Sequence, residues 1–140
     1  MNIDQDIDDA LQKLKDSYDL VWELFRRRDS EERPLDITET SRANLIFFFK
    51  NKIFHLTIFE LLLKYFPSDA IDLIKRYYLS VNLANSPHDH VADLDIMFDD
   101  IKLILGDSAF EELLNCPEFL PKNKKNKRVK EAIDFAYAPD

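Results

Sequence analysis

Glycine is nearly missing from this chain: Gly106 is the only one in 140 residues. Phosphate-cradling loops, dinucleotide-binding turns and nucleophile elbows all place glycine where backbone turns sharply or approaches a ligand, so these functional classes are excluded. Scarce glycine also argues against a sheet-rich fold with many tight turns. Cysteine is as rare. Cys116 stands alone, which leaves no intramolecular disulfide and no cysteine-based zinc site, and suits a reducing compartment. An unbroken apolar run of membrane length is missing too. The richest stretch, 45–66, is interrupted by Lys50, Asn51, Lys52, His55 and Glu60. A charge at bilayer depth costs about 2.5–3.5 kcal/mol even on a lenient scale, so no membrane span is expected. The N-terminal residues are acidic and lack an apolar signal core, so no secretion signal is expected and the protein reads as cytoplasmic.

What is present describes a folded, acidic protein. Hydrophobic residues make up 46% and charged residues 33%, which fits a globular chain long enough to bury a core. The net charge of -8 repels nucleic acid overall. The acids crowd the start, at Asp4, Asp6, Asp8 and Asp9, while Lys122, Lys124, Lys125, Lys127, Arg128 and Lys130 crowd the end. Nucleic acid is therefore disfavoured except through residues 122–130, and that run lacks the aromatic residues that a single-strand surface interleaves with charge.

Helical spacing dominates. Ile3, Ile7, Ala10, Leu11, Leu14, Tyr18, Val21 and Phe25 recur every three or four residues and imply a first helix from near Ile3 to near Arg28. Pro34 closes a charged break that includes Arg26, Arg27 and Arg28. A central apolar helix is expected over about 38–66, from a cap at Thr38, Thr40 or Ser41 to Pro67; two helices broken near Lys50 and Lys52 are the alternative. Ser68 then caps a helix that ends before Asn85. A fourth begins at His88 or Asp89, with Val91, Leu94, Met97, Phe98, Ile101, Ile104 and Leu105 as its core face and Asp93, Asp95, Asp99, Asp100 and Lys102 spread over the rest. Gly106 stops it. Asp107 or Ser108 caps a short helix. Lys122 to Lys127 reads as a solvated linker, and a last short helix covers about 128–137. The fold expected is all-α: four main helices and one or two short ones wrapped as a bundle about 38–66. Residues 1–121 form one domain in this reading, and 122–140 a basic linker and helix packed on it or extending from it.

Two constellations carry possible chemistry. His88, His90 and Asp93 have the donor types that a zinc ion accepts. Capping and a solvated face account for the same residues, so no metal or other cofactor is expected. The run Lys50-Asn51-Lys52-Ile53-Phe54-His55 resembles the short motif of HEPN-domain ribonucleases, small helical proteins that cleave RNA across a dimer, with Lys50 where that motif has arginine. The resemblance implies His55 as acid or base and Asn51 as the residue that positions phosphate. A hydrogen-bonded buried pair or a polar helix contact is the plainer explanation of Asn51 and His55. No serine–histidine–acid or cysteine–histidine set is legible, and Cys116 reads as core filler.

Eleven phenylalanines are a heavy load for one small helical core. Some of Phe47, Phe48, Phe54, Phe59 or Trp22 are expected to emerge, and a large exposed apolar patch marks a partner site. The leading expectation is a non-catalytic regulatory protein. It acts as an adaptor, inhibitor or regulatory subunit by binding another protein or a second copy of itself. The RNA-cleaving reading through Lys50, Asn51 and His55 is the alternative.

Overall fold

The computed structural model describes residues 5–10, 12–13, 15–17, 19, 39–85 and 88–138, with the side chains of residues 39–41, 88 and 89 outside that description. The fold is all-α, with no strand among the described residues. The chain divides into two compact units, Met1–Ile58 and Phe59–Asp140.

In the first unit, the described positions between 5 and 19 are helical and exposed. Ile7, expected on a buried face, is 51% exposed. Val21, Trp22, Phe25 and the arginine triplet lie outside the described residues. The apolar stretch is two helices: α1, Glu39–Lys50, and α2, His55–Tyr65, whose later residues belong to the second unit. The stop between them is a Schellman motif. Ile53 N–H donates to Phe48 C=O at 2.9 Å, and Lys52 N–H to Phe49 C=O at 3.1 Å. This end needs a left-handed residue. Lys52 takes it, with φ 56°, where glycine is usual. Phe54, at φ 50°, then opens α2, its carbonyl accepting from Ile58 N–H.

The second unit holds most of the core. Phe59, Leu61, Leu62 and Leu63 of α2 are buried. Next comes α3, Pro67–Ile74, with Phe66 as N-cap and Pro67 at the first helical position, where its missing N–H costs nothing. Ser68 is thus inside the helix rather than capping it. The helix widens into a π turn, Lys75–Leu79, which buries both Tyr78 and Leu79. A 3-10 turn at Leu83–Asn85 leads to α4, His88–Leu105, on whose inner face Val91, Leu94, Met97, Phe98 and Ile101 are buried. Gly106 ends α4 at φ 97° and ψ 172°, a backbone region that side chains avoid, and serves as the N-cap of α5, Asp107–Leu114. Cys116 and Phe119 are buried in the connection that follows.

Within the run expected as a linker, residues Pro121–Lys124 form a short helix, α6, and Asn123 is buried. Its amide donates to Leu79 C=O at 2.8 Å and Val81 C=O at 2.6 Å, and its oxygen accepts from Leu83 N–H at 3.1 Å. One side chain thereby bonds three backbone groups at the end of the π turn and just beyond it. The last helix, α7, Lys127–Tyr137, is capped by Asn126, whose side-chain oxygen accepts from Arg128 N–H at 2.9 Å and Val129 N–H at 3.2 Å. It packs along α4 through Val129, Ala132 and Ala136.

Candidate functional site

The residues singled out in the sequence fall in three places. Lys50 and Asn51 lie at the exposed end of α1, and His55 opens α2. The Asn51 amide donates to Phe47 C=O at 2.8 Å, a bond back onto its own helix. The His55 ring meets Phe49 edge-on, with centroids 6.4 Å apart. The helix break therefore gathers Lys50, Asn51 and His55 about one short turn.

Asp93, expected on the exposed side of α4, is buried. The Tyr78 hydroxyl donates to its carboxylate at 2.7 Å, and the His90 ring lies 5.2 Å from the Tyr78 ring. Burial, then the bond to Asp93 and its negative charge, push the Tyr78 hydroxyl far above the ordinary tyrosine range, so it stays a donor. This cluster ties the π turn to α4. The His88 side chain lies outside the described residues. Among the described residues, no group of three histidine, cysteine or acidic side chains is arranged to hold a metal ion. Asp100, expected to face solvent, is half-buried. Burial first, then Glu60 and Asp99, push its carboxyl up to about 7 against the opposing charge of Lys64. Lys64 itself pairs with Glu60 at 3.5 Å.

The third place is the outer face of α4 and α7. On α4, Ala92, Asp95, Asp99 and Leu103 follow one another at helical spacing, and on α7 so do Arg128, Glu131 and Phe135. These residues line two hollows that share Phe135. One, about 320 Å³, is bounded by Val91, Ala92, Asp95, Arg128, Glu131 and Ala132. The other, about 500 Å³, is bounded by Asp99, Lys102, Leu103, Asp107, Ala136 and Ala138. Low-numbered residues of α4 meet low-numbered residues of α7, so the helices run in the same direction and the hollows form one groove. Leu103 is 72% exposed, Phe135 68% and Ile96 47%. Lys102 is turned inward. Its ammonium donates to Ala136 C=O at 2.8 Å and lies over the Tyr137 ring, complementing the C-terminus of α7.

Of the aromatics among which some were expected to emerge, Phe47 is 58% exposed, Phe48 and Phe54 are partly exposed and Phe59 is fully buried, while Trp22 lies outside the described residues. Phe135 was not among those expected to emerge. A signal for this face was nevertheless present. Ile96 and Leu103 are apolar, lie off the core stripe of α4 and stand seven residues apart, on one line of the helix.

Among the described residues, no helix is long and apolar enough to cross a membrane. Comparison with known family models, curated proteins and solved structures finds no match to this chain.

Proposed function

We propose that this is a non-catalytic cytoplasmic protein that binds another protein through the α4–α7 face, as an adaptor, inhibitor or regulatory subunit. The observation that carries the reading is the pairing of Leu103 and Phe135. Both are large, apolar and mostly exposed, and they border one hollow. Scattered single hydrophobes on a surface need no explanation, but adjacent ones beside a groove mark an interaction site. A photoreactive side chain at Leu103 tests it in cells. The expected result is a covalent adduct with a second polypeptide, lost when Phe135→Ser is added. An equal adduct from a photoreactive group at exposed Ala84, or none at Leu103, would contradict it.

The second reading, RNA cleavage by Lys50, Asn51 and His55, is favoured by one observation: the helix break brings these residues to a single turn. It requires wild-type protein to cleave RNA and His55→Ala to abolish cleavage. An inert wild type removes it.

A further inference from the structure

We propose, building on the reading that the α4–α7 face binds a protein, that the partner element seated there is a basic amphipathic helix. Its apolar residues lie on Leu103 and Phe135, and its lysines or arginines face Asp95, Asp99, Asp107 and Glu131.

The groove has the form for a helix. Its α4 wall runs from Ala92 to Leu103, which at the rise of an α-helix is about 16 Å, or roughly three turns of a docked partner. Ala92, Ala132, Ala136 and Ala138 keep its lining low, so a second backbone can approach. Phe135 divides it into two hollows, which suits side chains projecting at successive turns, the usual pattern of a helix laid in a groove.

Charge decides which helix. Asp95, Asp99, Asp107 and Glu131 all border the groove. Against these four carboxylates stand two cations: Lys102, held by the Ala136 carbonyl and over the Tyr137 ring, and Arg128, at one end beside Asp95 and Glu131. The middle and far end therefore present carboxylates around an apolar centre. A neutral or acidic helix would leave these charges partly desolvated without partners, whereas lysines or arginines would pair them at the rim. A second copy of this chain fits poorly. Two chains of net charge -8 would meet with acidic borders facing. Its own basic residues Lys122, Lys125, Lys127 and Lys130 are exposed, but the helix that carries the last two turns its apolar stripe of Val129, Ala132 and Ala136 into its own core and has none left to lay in a groove.

The test uses the full chain and two synthetic helical peptides with the same leucine pattern, one with lysine and one with glutamate at the polar positions. Calorimetry is run at low and high salt, on wild type and on Leu103→Ser/Phe135→Ser. Both substituted residues are exposed, and unchanged circular dichroism confirms the fold. The expected result is that the lysine peptide binds about tenfold tighter than the glutamate peptide, weakens with salt and loses at least about fivefold in the double variant. Lysine-peptide binding that survives unchanged in the double variant is non-specific attraction to an acidic protein and overturns the proposal. Equal binding of both peptides, lost in the double variant, overturns the basic partner but leaves the interaction face standing. If neither peptide binds and light scattering shows a dimer that the double variant dissociates, the occupant is a second copy and the proposal falls. If no peptide binds, no dimer forms and Leu103 gives no adduct, both the proposal and the reading beneath it fail.

Discussion

Single residues set the local chemistry, and two of them allow sharp tests. Asn123 satisfies the backbone at Leu79, Val81 and Leu83 from a buried position. Asn123→Leu leaves Leu79 C=O its bond from Leu120 N–H but takes the Asn123 partner from Val81 C=O and Leu83 N–H, so a loss of about 1–3 kcal/mol in denaturant unfolding is expected. Asp100 is a pH-dependent cost. Its folded carboxyl holds a proton up to about 7, and its unfolded one only to the ordinary value of 3.8. The folded state binds the extra proton between these values. Stability contributed by the protonated form is therefore complete below about pH 4 and is lost as pH rises through 7. Asp100→Asn removes that loss. The variant should match wild type near pH 4 and exceed it at pH 8 by about 1 kcal/mol, a figure reduced because water reaches the half-buried carboxyl. Thermal unfolding at the two pH values measures the difference, and equal gains at both would mean that folding does not raise the Asp100 carboxyl.

At the scale of elements, the backbone does its turning at positions of very different legibility. Gly106 was readable as a helix stop because its residue type matches the conformation the turn requires. A Cβ there would meet nothing within 4 Å, so Gly106→Ala pays for backbone strain alone, about 1–3 kcal/mol in chemical denaturation. The break after α1 also turns at a positive φ, but at Lys52, φ 56°, and nothing about lysine announces it. The sequence allowed one helix or two over 38–66, and only the chain's packing chose. Lys52→Gly should raise stability by about 0.5 kcal/mol, the relief of left-handed strain less the entropy of the freer unfolded chain. Core stripes read well because they are periodic, as along Val91, Leu94, Met97, Phe98 and Ile101. Asn123 did not, because its partners lie about 40 residues away in the chain and its lysine neighbours suggest solvent. Asp93 and Asp100 misled for a related reason: a carboxylate within an acidic helix looks exposed until the helix opposite it is placed.

For the whole molecule, the net charge of -8 and the apolar groove act together. In the docking proposed above, the acidic field would draw a cationic partner in and set the salt dependence of its arrival, while Leu103 and Phe135 would hold it once docked. The candidate site was only half legible. An excess of phenylalanine pointed to exposed rings but not to Phe135. Its location depended on which face of α7 the Val129, Ala132 and Ala136 stripe would bury, and burying that stripe turned Phe135 outward. The most direct measurement is amide chemical-shift mapping of the isotope-labelled protein during titration with the lysine peptide. Expected are the largest shifts in residues 92–103 and 128–138, absent in Leu103→Ser/Phe135→Ser. Shifts spread evenly over the acidic surface, or centred on residues 50–55, would contradict a docking groove between α4 and α7.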